Sequence, residues 1–219
     1  MKTCVICGND KFGLGPNGRK SFDGVSLPRC TKCQSLERHR ALREFWNRFP
    51  KEFLKDKQVL QFSPDRSVES GWFKKYEVST FDGENSLDLQ NIDRPDANYD
   101  VVICVHVLEH VQHDQVAVQE MLRVINNTGF IVLAIPAPFH REKTVDWGFP
   151  KQEEHGHYRV YGKDVRILLL DKVVGEDFYI QVLIEDTATG SQDCVYLLTK
   201  DRNATMKLKD LMKGWIIES

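Results

Sequence analysis

Two Cys-x-x-Cys pairs, Cys4/Cys7 and Cys30/Cys33, stand 22 residues apart. Each pair is a tight knuckle presenting two sulfurs to one side, and two knuckles at this interval make a tetrahedral four-thiolate zinc site. Gly8 supplies the backbone freedom a knuckle needs. Four protein ligands fill the coordination sphere, so the expected Zn2+ is structural rather than catalytic. Residues 11–28 are rich in Gly, Asn, Asp and Lys and have no apolar period, so they depend on the metal for shape. A second group able to do chemistry lies far along the chain: His140, Asp146, Glu153, Glu154, His155, His157 and Tyr161. Imidazole titrates near neutrality, so His157 with Tyr161 is a candidate acid/base and orienting pair, and His140 a further candidate. Two other readings stay open here: His155 and His157 as metal ligands beside a carboxylate, or histidines serving only loop hydrogen bonds.

The elements that must position these residues follow from the apolar pattern. Asp100 to Val105 is a short, nearly continuous β-branched run, a strand covered on both faces. Val116, Val118, Met121, Leu122 and Val124 then recur at helical spacing, Gly129 breaks the run, and Phe130 to Ile135 is a second strand stopped by Pro136. Strand, helix, strand implies parallel pairing through a right-handed crossover, with ligands bound beyond the carboxyl ends of the strands. Function is therefore expected in Val105 to His110 and Ile135 to His140. Upstream, Val59 to Phe62 is a first strand, Ser63-Pro64-Asp65 leads into a helix carrying Val68, Trp72 and Phe73, and Glu77 to Phe81 is a second strand ending at Asp82-Gly83. A carboxylate there can accept both hydroxyls of a ribose, or serve only as a turn residue. A third short strand is expected over Ser86 to Leu89. Leu36 to Trp46 reads as a helix whose Arg38, His39, Arg40 and Arg43 form either an anion site or a solvated face. His110 reads as structural, and Cys104 and Cys194 as small buried apolar residues.

A chain of 219 residues with 41% hydrophobic content can bury a full core. With 30 basic against 32 acidic residues, the charge of −2 argues against wrapping a nucleic acid, although residues 11–43 are locally basic. No apolar run is long enough for a membrane helix, and the first residues are polar rather than a secretory leader, so a soluble, cytoplasmic protein is expected. After a helix from Gly162 to Leu169, strands at Phe178 to Ile184 and Cys194 to Thr199 form an antiparallel edge, and Met206 to Ile217 a terminal helix.

The order of Asp88-Leu89, Tyr99 to Ile103, Val107-Leu108-Glu109-His110-Val111, Glu120-Met121-Leu122-Arg123-Val124 and Gly129 to Val132 resembles class I S-adenosylmethionine-dependent methyltransferases of the type 11 group. The front end resembles members preceded by a zinc ribbon and a Ser-Leu-Glu-Arg-His-Arg helix, and Asp146 to Phe149 with His155 to Gly162 resembles their segment after the fifth strand. The resemblance implies an α/β fold, a doubly wound, mostly parallel seven-stranded sheet of Rossmann-like type. It divides the chain into a zinc-ribbon-like module (1–34), a linking helix (35–56), the methyltransferase domain (57–200) and a C-terminal helix (201–219). It further implies cofactor contacts at Phe62, Ser63 and Pro64, at Asp82 and Gly83 on the ribose, at Asp88 and Leu89 near the adenine, and at His106, Val107 and Leu108 under the methionine. Where the family has an acidic residue closing the first strand this chain has Gln61, and the family's glycine-rich turn is Phe62 to Ser67 here. The implied activity is methyl transfer to a small-molecule or saccharide-type acceptor. The alternative is a noncatalytic adaptor that has lost the cofactor and uses its zinc ribbon as an interaction surface.

Overall fold

The computed structural model describes residues 2–136 and 138–217, so the outermost residues of the first and last expected segments, 1 and 218–219, and residue 137 of the expected functional loop Ile135 to His140 lie outside the described residues. In chain order the strands are β1 (Phe12–Gly13), β2 (Arg29–Cys30), β3 (Gln58–Phe62), β4 (Lys75–Ser79), β5 (Tyr99–Val105), β6 (Ile125–Ala134), β7 (Val145–Lys151), β8 (His157–Val160), β9 (Tyr179–Asp186) and β10 (Ser191–Leu198). The α-helices are α1 (Glu37–Trp46), α2 (Lys51–Leu54), α3 (Asp114–Val124), α4 (Asp171–Val173) and α5 (Arg202–Leu211).

The central sheet has the order β4-β3-β5-β6-β10-β9. β4, β3, β5 and β6 run parallel, and β10 is antiparallel to both β6 and β9. β5 sits between β3 and β6, and alternation along it divides the core. Val102 and Cys104 join α3 residues Val118 and Met121 on one face. Val101, Ile103 and Val105 meet α1 and α5 through Leu42, Phe45, Trp46 and Leu208 on the other. A strand apolar at every position is therefore the strand with helices on both sides.

Several elements differ from the sequence expectation. Six strands are found where seven were expected, because Ser86 to Leu89 contributes only an isolated bridge, Asp88 to Asn91. Asp88 Oδ1 accepts the Gln90 amide at 2.8 Å, a local turn that removes the backbone from strand pairing. The helix expected at Val68 to Phe73 is a 3-10 turn at Ser70–Trp72. Asp65 Oδ1 takes both the amide and the hydroxyl of Ser67 at 2.5 Å, a side-chain turn that replaces the first helical turn. The segment after Gly162 is a π-helical turn, Arg166–Leu170, running into α4. The terminal helix starts earlier and ends at Leu211, and Ile216 instead bridges to Val182 of β9.

The amino-terminal module lies over the carboxyl ends of the parallel strands. Arg40 of α1 joins it to the sheet: its guanidinium donates to both oxygens of Asp186 at 2.9 and 2.6 Å, and to the Ser35 carbonyl at 2.8 Å. Both side chains of this ion pair are essentially without solvent exposure.

Candidate functional site

The four cysteines of the module converge. Cys4 and Cys33 sulfurs are 3.6 Å apart and Cys7 and Cys30 sulfurs 3.5 Å, close to the ~3.8 Å edge of a tetrahedron with ~2.3 Å zinc–sulfur bonds. Gly8 and Gln34 occupy the same place after each pair, both left-handed, with φ of 72° and 61°. Their amides close the two knuckles on the Cys4 and Cys30 carbonyls. Burial opposes ionisation of Cys30, yet the amides of Cys33 and Lys32 donating to its sulfur bring the thiol down to about 6. Ser35 Oγ lies 3.4 Å from Cys4 Sγ and 3.1 Å from Cys33 Sγ, so the metal knuckle, Ser35, Arg40 and Asp186 form one continuous polar chain. A donor set of four close thiols fits Zn2+.

At the carboxyl ends of the adjacent parallel strands β3 and β5, Ser63 and His106 are left-handed, with φ of 61° and 52°. Such conformations cost energy in residues other than glycine and concentrate at functional loops. The turn after β3 is held from below: Gln61 Nε2 donates to the Ser63 carbonyl at 2.9 Å and Tyr76 Oη donates to Gln61 Oε1 at 2.6 Å. Arg43 donates to the Ser67 and Arg66 carbonyls. Asp65 Oδ2 is buried in this turn without a hydrogen-bond partner among the described residues. Of the other expected cofactor contacts, Phe62, Leu89 and Leu108 are buried and His106 and Val107 half-buried. Asp82, Gly83 and Asp88 are exposed.

Between the module and the strand ends lies a cavity of 170 Å³. Phe22 and Arg38 line one side, and His106, Pro136 and Asp193 the other. Asp193, at the start of β10, carries a carboxyl raised above its usual range by burial, with the Cys194 amide and then His106 and His140 opposing the shift. His39, on α1, is lowered to about 3 by burial and by the charges of Arg38, His106, Arg66 and Arg40. Its Nδ1 accepts the Leu36 amide at 3.0 Å, which requires the neutral ring.

The histidines expected to act together are divided by the fold. His157 comes to the loop after β5, with its ring 4.5 Å from that of His110 and at 89° to it. Burial lowers its imidazole below the usual value, Glu109 opposes this, and His110 and His155 add to it. His155 is 6.1 Å away, ring to ring. His140 instead stacks against Phe22 of the module at 4.8 Å. Tyr161 is 2% exposed and donates to Asp114 at 2.9 Å, and burial pushes its phenol well above the usual value. Its hydroxyl is thus occupied in holding the start of α3. Arg159 fixes the placement of His157: from β8 it donates to the Val111 and Gln112 carbonyls at 2.5 and 2.7 Å and to Asp146 at 2.7 Å. Asp193 and Glu109 were not expected from sequence. Asp193 lay just ahead of the strand expected from Cys194, in a polar Ser-Gln-Asp stretch that gave no signal; Glu109 was visible only as part of the Leu-Glu-His tripeptide.

A methyltransferase-domain family matches residues 35–164, more than half of the chain. No curated protein matches it. Among solved structures, a Burkholderia thailandensis 1,6-didemethyltoxoflavin-N1-methyltransferase holding 1,6-didemethyltoxoflavin and S-adenosylhomocysteine aligns with a TM-score of 0.53 at 11% identity. That alignment covers 74% of this chain and 79% of that one. An arsenic(III) S-adenosylmethionine methyltransferase from Chlamydomonas reinhardtii gives 0.45 at 13% identity, over 74% of each chain. A protein assigned as a methyltransferase from Bacillus halodurans gives 0.42 at 16% identity over 59% of this chain, which spans 62% of that protein's length. At such identities the likeness is one of fold, and the fold is the Rossmann-like one with its antiparallel edge. The chain therefore belongs to the methyltransferase-domain family and carries a zinc-ribbon-like four-cysteine module ahead of that domain.

Proposed function

We propose that this protein transfers a methyl group from S-adenosylmethionine to a small-molecule or saccharide-type acceptor, in the crevice between the amino-terminal module and the strand ends. The observation that carries this reading is the pairing of two strained residues, Ser63 and His106, at the ends of neighbouring parallel strands, where such sheets bind ligands. The residues present fit the cofactor. The partnerless buried oxygen of Asp65 complements a ligand ammonium group beside Phe62, Ser63 and Pro64. Asp82 and Gly83 would take the ribose, Asp88 and Leu89 the adenine, and His106, Val107 and Leu108 the methionine chain. When bound, the cofactor supplies a sulfonium methyl group open to in-line displacement.

The chain's own residues hold the acceptor and receive its proton. His157 is the base assigned here, since burial keeps its imidazole neutral and able to accept. Asp193, with its raised carboxyl, orients the acceptor from the β10 side. Tyr161 acts through Asp114 as a positioning residue. The 170 Å³ cavity is below the ~300–1,000 Å³ of most ligand pockets, so the acceptor is small or the module moves aside to admit it.

A second reading has an observation of its own. The bonds from Gln61 and Arg43 close the turn after β3 where a cofactor turn normally stays open, as in a noncatalytic adaptor. Calorimetric titration of the zinc-loaded protein with S-adenosylmethionine and S-adenosylhomocysteine separates the two. Micromolar binding that Asp82→Ala weakens at least about tenfold, or ~1.4 kcal/mol, is the expected result. Absence of binding at millimolar ligand sinks the methyltransferase reading and leaves the adaptor.

A further inference from the structure

Glu109, His110 and His157 each point a ligand atom into one small volume, and these three atoms lie within 4.8 Å of one another. Two come from the 3-10 turn after β5 and the third from β8, brought in by the Arg159 clamp. Glu109 is 1% exposed. Its Oε2 has no hydrogen-bond partner among the described residues, and its Oε1 is 3.7 Å from His106 Nδ1. A buried carboxylate oxygen without a donor is costly, and a cation beside it removes the cost. Arg159, which shares β8 with His157, is already engaged by Asp146 and two carbonyls.

We propose that Glu109, His110 and His157 form a second metal centre, separate from the four cysteines, that binds one divalent first-row transition-metal ion. Two imidazoles and a carboxylate are the donor set of such ions when positions are left open for other ligands. His106, beside the Glu109 carboxylate, lies between this cluster and the cavity that it lines. The two sites differ in kind: thiolates at the first select zinc, whereas nitrogen and oxygen at the second accept harder ions. An ion in this place would bind an acceptor oxygen and lower its pKa, taking over the proton removal assigned to His157 when the site holds no metal. That role rests on the methyl-transfer reading; the binding itself does not.

The test is titration of Co2+ into the zinc-loaded full chain, followed by absorption, with bound metal counted by elemental analysis. The expected result is one Co2+ per chain beyond the zinc, with visible d–d bands and no thiolate-to-cobalt charge-transfer band. Glu109→Gln and His157→Ala each weaken this uptake at least about tenfold, with zinc content unchanged. Uptake absent, uptake carrying the thiolate band, or uptake equal in all variants overturns the proposal. His110→Ala, at an exposed ring, carries the comparison if Glu109→Gln does not fold. S-adenosylhomocysteine titration of the same samples keeps the two readings apart. Cofactor binding without Co2+ uptake removes the metal centre and leaves methyl transfer standing. Co2+ uptake without cofactor binding supports the centre and removes its role toward an acceptor.

Discussion

Single residues here act mainly through burial. His39 is neutral in the folded protein, with its imidazole at about 3 against an ordinary 6.5. The unfolded chain therefore binds one more proton between these values. Stability from this residue is complete above about pH 6.5 and is lost as the pH falls towards 3. Urea denaturation at pH 7 and pH 5 should show a loss of about 1–2 kcal/mol attributable to it, and His39→Gln should flatten that difference. The Arg40–Asp186 pair makes a sharper case, because neither side chain meets water. Arg40→Met strands a buried carboxylate and should cost about 3–5 kcal/mol in the same assay, most of it recovered in Arg40→Met with Asp186→Leu. Of these residues only the cysteines could be recognised by spacing. Arg40 sits in a cluster of four basic residues that reads as a charged helix face, and nothing local distinguishes Arg40 and Arg43, which are buried, from Arg38, which is exposed.

At the scale of elements, the β7–β8 hairpin is placed by side chains rather than by the main sheet. It forms its own two-stranded sheet and meets the loop after β5 through Arg159. Arg159→Met removes charge-assisted bonds worth ~1.5–3 kcal/mol each. Hydrogen exchange should then rise across residues 145–160 while β5 and α1 keep their protection; unchanged exchange in the hairpin would refute this account of its anchoring. Gly162 closes the other end, where an added Cβ would lie 2.5–2.8 Å from the Lys143 backbone, so this return of the chain admits only glycine. β5, α3 and β6 were legible because period 2 and period 3.6 are imposed by burial on known faces. The 3-10 turn at Ser70–Trp72 was not, since Val68, Trp72 and Phe73 suit a helix, and only the Asp65 side-chain turn overrides them.

For the molecule as a whole, the amino-terminal module is a lid on the sheet whose shape depends on four thiols. Its hydrogen bonds to the body include Arg66 to the Cys33 carbonyl and Arg19 and Ser21 to the Glu37 carboxylate of α1. Removing zinc with a chelator should unfold residues 2–34, separate Phe22 from His140, and open the cavity, with the body of the sheet retained. Limited proteolysis would show new cleavage confined to the first 34 residues; cleavage spreading at once into α1 and β9 would mean that the module and body unfold as one unit. No helix among the described residues is long and apolar enough to cross a membrane.

The sequence by itself determined the metal knuckles, the buried central strand, the crossover to β6 and the family, because these rest on spacing and periodicity within short stretches. The count of strands, the separation of His140 from His157 and the engagement of Tyr161 with Asp114 were decided only by the tertiary structure. So was the meeting of Glu109, His110 and His157 beneath the crevice. Each depends on which distant segments share a surface and on which polar groups lose their water there. Periodicity records that a residue is buried, and only packing records what it is buried against.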